Sequence, residues 1–328
     1  LSGLSATVIN VALRRELYIV MAIVIATVLA AGPAHSAPPA APQGATAFTV
    51  SGTKIGHAPP FPEQLVPGYF ASATISRIDY PAALFGMDRS VAAAVQALDG
   101  DLLSTPGPLV AAGFSQGALA VAHAKKDLMS LPAERRPDPG RLTFVTIGDP
   151  AGPGGIMRFL RFQIPVIGLT PVTEPDTPYT SIVVKGEYDG WADFPDRPWN
   201  LVSVVNALLG IAYIHGRYET IPGGLDLSAV PAANITTTVN GLGGRTTTYL
   251  VPTANLPLVQ PLRDIGVPER IVAAIEKPLK KVVDKGYRRN DAAPAAQASA
   301  VSRPVRQAPQ SERRSAAAQP GAHARAAA

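Results

Sequence analysis

From residue 46 to residue 251 the apolar positions come in short runs broken by glycine, proline and polar residues, and the spacing inside each run assigns it. Residues 46–52 (Thr-Ala-Phe-Thr-Val-Ser-Gly) predict a strand that ends in a turn, and 71–79 alternate as a second strand. Alanine and valine at close spacing predict a helix over 90–98. A short apolar strand follows at 109–113, then a helix at 116–129. Residues 142–147 (Leu-Thr-Phe-Val-Thr-Ile) have no polar face, the pattern of a strand covered on both sides in a parallel sheet. Another strand is predicted at 181–185 and a helix at 198–214, with Pro198 near its first turn. Five strands separated by helices predict an α/β fold built on a doubly wound, mostly parallel sheet.

The C-terminal third has a different pattern. Residues 235–239 and 246–251 flank Asn240-Gly241-Leu-Gly-Gly244, a hairpin signal. Residues 256–262 are apolar but broken by prolines, and Ile271, Ile275 and Leu279 mark a helical stripe interrupted at Pro278. The hairpin and the segments after it are expected to form a hairpin/helix cap on the sheet. There is no internal repeat.

Both ends lack this pattern. Residues 17–31 are apolar and uncharged, Arg14 and Arg15 precede them, and Ala34-His-Ser36-Ala37 follows, as in an export signal. Fifteen residues cover about 22 Å as a helix, short of a bilayer core of about 30 Å. Residues 1–36 are therefore expected to be a signal peptide, with an uncleaved membrane anchor as the alternative. Either one exports the protein to the cell envelope or beyond. Residues 37–45 read as an Ala/Pro linker and 46–290 as the folded domain. Residues 291–328 are Ala, Pro, Gln, Ser and Arg with almost nothing large and apolar, so a disordered tail is expected there.

Composition narrows the function. Of 328 residues, 29 are Gly and 33 are Pro, and only 16% are charged, which excludes a charge-rich disordered chain, a coiled coil and a collagen repeat. Net charge is +5, but most of it belongs to the two ends, so the folded part is nearly neutral. A nucleic-acid partner is not expected, because phosphate neutralisation needs a clustered basic face. The absence of cysteine removes disulfides, thiolate metal sites and a cysteine nucleophile. The histidines are too scattered for a metal-ligand cluster, and no cofactor is implied.

Gly113-Phe-Ser115-Gln-Gly117 lies between an apolar strand and a helix, the context in which Gly-x-Ser-x-Gly bends sharply and exposes a nucleophilic serine. Ser115 needs a base. Of the five histidines, His35 lies in the export signal and His323 in the tail, and His57 follows the first strand, too early in chain order. His123 is about 12 Å along the helix from Ser115. His215 remains, at the end of a predicted helix. The order serine, acid, histidine is that of α/β-hydrolases. The acid should follow a strand between Ser115 and His215. Asp189, on a turn before Gly190, is the first choice; Asp193 is the alternative, Asp149 is assigned to bracing a loop and Glu187 to solvent. The oxyanion hole is assigned to the backbone amides of Gln116 and Thr53, with Gly52 as the alternative to Thr53.

The stretch Glu187-Tyr-Asp-Gly-Trp-Ala-Asp-Phe-Pro, continued by Pro198-Trp-Asn-Leu, Asn206-Ala-Leu-Leu-Gly and Tyr213-Ile-His215-Gly-Arg-Tyr218, resembles the PE-PPE domain family of mycobacteria. Gly113-Phe-Ser-Gln-Gly-Ala118, Gly148-Asp-Pro150 and Leu256-Pro-Leu258 fit it too, so the resemblance covers roughly 46–290. It implies a serine esterase of cutinase-like α/β-hydrolase fold with Ser115, Asp189 and His215 as its triad. The lack of cysteine departs from cutinases, which carry disulfides. An export segment ahead of the domain, in place of a PE or PPE module, resembles the Chp-type envelope acyltransferases. The implied activity is acyl transfer between acylated trehalose glycolipids. Its alternatives are a secreted lipid esterase and a non-catalytic envelope-binding protein. An acyl glycolipid or other long-chain ester is the expected partner, with membrane or envelope association. Leu256, Leu258 and Leu262, with the helix at 271–279, are expected to line an apolar channel for the acyl chain.

Overall fold

The computed structural model describes residues 39–220 and 224–291. The expected export segment, and the expected tail beyond residue 291, lie outside the described residues. The compact unit ends at Asn290.

Seven strands form one sheet. In chain order the elements are β1 (Thr46–Val50), α1 (Pro62–Leu65), α2 (Pro67–Phe70), β2 (Thr74–Arg77), α3 (Met87–Ser104), β3 (Leu109–Phe114), α4 (Gln116–Ser130), β4 (Leu142–Ile147), β5 (Thr180–Gly186), α5 (Leu201–Tyr213), β6 (Ile235–Val239), β7 (Arg245–Val251), α6 (Gln260–Asp264) and α7 (Glu269–Asp284). The strand order is β2-β1-β3-β4-β5-β7-β6. Every neighbouring pair is parallel except β6 with β7. The fold is thus a doubly wound, mostly parallel α/β sheet with helices on both faces.

Alternation along the strands builds two cores. Phe48, Val50, Leu109, Ala111, Leu142 and Phe144 face α3 and α4. Their sequence neighbours Ala47, Val110, Ala112, Val145 and Ile147 face the other way, toward Leu65, Tyr69, Phe70 and Tyr218. β3 is buried along its whole length, as a strand covered on both faces requires.

Four expectations are corrected here. The hairpin does not cap the sheet: β7 pairs in parallel with β5, from Ser181↔Thr246 to Gly186↔Val251, so the hairpin is the sheet's outer edge. The stretch after it, with α6 and α7, forms a third apolar cluster around Tyr188, Leu256, Val272 and Tyr287. Residues 39–45, read as linker, pack onto the domain. The Ala41 amide donates to the Tyr69 carbonyl, and Ala41 and Ala45 are buried. Finally, α7 runs through Pro278, which sits on the helix's exposed side. α5 starts at Leu201, behind an Asn200 cap whose side chain accepts from the Ser203 amide.

Because β1, β3, β4 and β5 are parallel and in register, their C-terminal ends share one edge. Val50 lies opposite Gly113, and Phe114 opposite Ile147. The turns leaving these four strands carry Thr53, Ser115, Asp149 and Asp189. In doubly wound sheets this edge is where ligands bind.

Candidate active site

Ser115 sits in the turn from β3 into α4 at φ 53°, ψ −111°, a left-handed conformation that costs a non-glycine residue of order 1–3 kcal/mol. Two glycines make the turn sterically possible. A Cβ on Gly113 would lie 2.2 Å from the Gly117 carbonyl oxygen, and one on Gly117 would lie 2.2 Å from the Val50 carbonyl oxygen. The Ser115 amide donates to the Ile147 carbonyl, which fixes the turn to β4.

His215 follows α5 and reaches back over the sheet edge. Its Nε2 is 2.8 Å from Ser115 Oγ and its Nδ1 is 2.8 Å from Asp189 Oδ2. The ring stacks on Phe114 at 5.5 Å and meets the edge of Tyr218 at 5.9 Å. Asp189 is fully buried on the turn after β5. Its Oδ1 accepts from the amides of Trp191 and Ala192, and its Oδ2 accepts from His215 and from the Tyr218 hydroxyl at 2.7 Å. Burial acts to raise the Asp189 pKa. The His215 ring, the Tyr218 hydroxyl and the Trp191 amide outweigh it and hold the carboxyl below its usual value. Asp189 therefore stays ionised and keeps the proton on His215 Nδ1, leaving Nε2 free to accept from the serine. Tyr218 is the opposite case: burial and then the Asp189 charge push its hydroxyl well above its ordinary pKa, so it remains a donor.

The structure thus brings Ser115, Asp189 and His215 together, the geometry of a nucleophile, its base and the base's orienting acid. Asp193 is not part of this chain. Its carboxylate accepts from Lys185 at 3.1 Å, from Arg289 at 3.0 Å and from the Tyr188 amide at 2.9 Å. Asp149 caps its own loop by accepting from the Ala151 amide. Glu187, expected in solvent, is instead half-buried and accepts from the Thr253 amide.

Gln116 opens α4, so its amide belongs to the first turn, where helix N–H groups have no intrahelical acceptor. Gly52 lies against the Phe114 ring and Ser115, and the next residue, Thr53, lines the cavity with Ser115 and Gln116. Side chains the motifs do not reveal hold this loop. The Tyr80 hydroxyl donates to the Ser51 carbonyl at 2.7 Å, and the Lys54 amide donates to the Ala82 carbonyl. Gln116 Nε2 donates to the Ala83 carbonyl at 2.8 Å. Tyr80, Tyr218 and the Gln116 side chain carry no local sequence signal of these roles, since their partners lie about thirty residues away.

A cavity of about 440 Å³ opens beside Ser115. Its apolar wall is built by Leu84, Met87, Leu119, Ile167, Leu169, Trp191 and Ile211. Leu256, Leu258 and Leu262 are not part of it. They pack in the third cluster, behind α5, where the Leu258 amide donates to Asn206 Oδ1. Asn206 and Ile211 are about 140° apart around the helix, so α5 presents different faces to the cavity and to the Leu256 segment. Among the described residues no group of three or more His, Cys, Asp or Glu could hold a metal ion.

The PE-PPE domain family matches residues 65–288, more than half of the chain. The chain belongs to the PE-PPE domain family. Three curated relatives, all from Mycobacterium tuberculosis, illustrate the membership. Diacyltrehalose acyltransferase Chp2 is 37% identical over 250 residues, 68% of this chain and 68% of Chp2. The PPE family protein PPE63 is 34% identical over 235 residues, 67% of this chain and 47% of PPE63. Esterase PE16 is 42% identical over 184 residues, 55% of this chain and 34% of PE16. The chain therefore spans about half or less of the length of two of these three PE-PPE relatives.

Proposed function

We propose that this PE-PPE domain is a serine acyltransferase or esterase that works through an acyl-enzyme on long-chain acyl esters outside the cytoplasm. The observation that carries this reading is the unbroken chain from Ser115 Oγ through His215 to Asp189, both links 2.8 Å, at the floor of an apolar cavity. His215 Nε2 takes the Ser115 proton as Oγ attacks the ester carbonyl. The amides of Gln116 and Thr53 hold the oxyanion. The tetrahedral adduct collapses, the alkoxide leaves with the proton from His215, and the acyl group stays on Ser115. An acceptor hydroxyl then gives its proton to His215 and attacks the acyl carbon, and as the second tetrahedral adduct collapses His215 passes that proton to the departing Ser115 Oγ.

Water as acceptor yields a free acid; a sugar hydroxyl yields a new ester. The apolar wall, which disfavours water, supports transfer. So does the match, over two thirds of both chains, to the diacyltrehalose acyltransferase Chp2. We assign acylated trehalose as donor and acceptor class. The esterase alternative is supported by PE16. A fluorophosphonate probe should label the wild type and not Ser115→Ala; equal labelling of both refutes the nucleophile. Incubation with acyl-trehalose should give newly acylated trehalose, and a product dominated by free acid refutes transfer.

A further inference from the structure

The chain segments that line the Ser115 cavity also carry large apolar side chains that face solvent. Ile55, which lines the cavity, is 62% exposed. Phe85, between the lining residues Leu84 and Met87, is 68% exposed, and Val166, next to lining Ile167, is 77% exposed. α5 supplies the fourth side. Ile211 lines the cavity, Leu208 lies one turn back at 50% exposure, and Val205 and Leu201 continue the stripe toward exposed Trp199. Single exposed leucines are ordinary; four separate segments converging on one opening are not. α5 itself has no charged side chain, although one long side of it faces solvent.

We propose that this collar docks the protein onto the surface of an anionic lipid aggregate, so that an acyl chain passes from the aggregate into the cavity without crossing water. The proposal rests on the acyl-ester reading above and names where such a substrate is met. Two features favour a lipid surface over a second protein. The collar is carried by the same segments that build the apolar wall around Ser115, so an occupant that delivers substrate from this side is compatible with turnover, whereas a protein seated there competes with substrate entry. Two basic side chains in the segments that line the mouth are exposed, Lys54 beside Ile55 and Arg217 beside Gly216, which suits anionic headgroups. Three carboxylates directly adjoin lining residues in sequence: Asp88, which is held by Thr170 and Gln163, Asp149, which is buried, and Glu219, which follows Tyr218. α5 covers about 20 Å, too short to cross a bilayer, so it would lie in the interface.

The test uses the full chain and the triple variant Phe85→Ser/Val166→Ser/Leu208→Ser, none of which lines the cavity. Co-sedimentation is measured with phosphatidylcholine vesicles containing phosphatidylglycerol, and turnover is measured on a long-chain ester carried in those vesicles and on water-soluble p-nitrophenyl acetate. The expected result is a loss of vesicle binding and vesicle-borne turnover of roughly tenfold or more, with turnover of the soluble ester unchanged. Equal vesicle binding by variant and wild type overturns the inference. So does a wild-type dimer that the substitutions dissociate, which would assign the collar to a second copy. Binding that does not need phosphatidylglycerol overturns the anionic surface. Vesicle binding by a wild type that turns over neither ester supports the docking face and refutes the acyl-ester reading instead.

Discussion

Tyr218→Phe removes one oxygen atom, and its consequence can be worked from the structure. That hydroxyl donates to Asp189 Oδ2 at 2.7 Å and accepts from the Gly186 amide. Both partners are buried, and phenylalanine leaves the shape of the site nearly intact. A hydrogen bond to a charged group contributes about 1.5–3 kcal/mol, and an orphaned buried N–H costs about 1–3 kcal/mol. The expected destabilisation is about 3–5 kcal/mol, on the order of 10 °C in Tm for a domain of this size. Part of it must depend on pH. The folded state holds Asp189 below its ordinary pKa, so the stability this provides is present above the unfolded pKa and is lost as pH falls through the folded pKa. Without the Tyr218 donor the depression is smaller. The gap between wild type and variant should therefore be widest at neutral pH and should narrow in acid, where Asp189 is protonated in both. The contribution from the Gly186 amide should not change with pH. Urea unfolding at neutral and acid pH measures both parts. A neutral-pH loss below about 1 kcal/mol, or a gap that does not narrow in acid, refutes the reasoning.

Gly117→Ala should fail more severely than its size suggests, because the new Cβ would meet backbone oxygen of β1 at 2.2 Å; a loss of more than about 3 kcal/mol, or no soluble protein, is expected by thermal melt. Leu169→Trp takes space from the 440 Å³ cavity and should shift chain-length preference toward shorter acyl esters in a p-nitrophenyl ester series. Leu256→Ala, in the third cluster, should cost about 2–5 kcal/mol of stability and leave that preference unchanged. Burial, and then the Glu174 carboxylate, push the Asp149 pKa up to about 6. The contribution of the neutral form is fully present below the ordinary carboxyl pKa of about 4 and is lost as pH rises from there through the folded value. Asp149→Asn should therefore gain on wild type in Tm between about pH 4 and about pH 7 and gain no more above that, and a constant difference would count against it.

What could be read from the sequence was whatever local sterics or chain order determine. The turn at Ser115 was legible because its two glycines answer a contact four residues apart, Gly113 against Gly117. His215 emerged from elimination among five histidines. The hairpin was legible as a hairpin, but nothing in residues 235–251 says that β7 will pair with β5, some sixty residues earlier. α1 and α2 are four residues each, too short to show a period, yet they bury Leu65, Tyr69 and Phe70. The apolar run at 256–262 correctly signals burial. It does not say on which side of α5 the burial occurs, and that decided whether those leucines meet the cavity.

The choice between Asp189 and Asp193 was undetermined for the same reason, and the structure shows why both are present. They stand four positions apart on one loop, and the loop passes through Tyr188 at φ 66°, a conformation that a β-carbon resists. Asp193 counters that strain directly: its Oδ2 accepts from the Tyr188 amide, while its own amide donates to the Asp189 carbonyl. A buried carboxylate in that position needs compensating charge. Lys185 supplies it from β5, and Arg289 supplies it from beyond α7, 96 residues along the chain. One carboxylate orients the imidazole and the other fixes the backbone that carries the first. The PE-PPE match stops at residue 288, one position short of Arg289. The physical domain must extend at least that far, because the support for Asp189 is complete only when that guanidinium is in place.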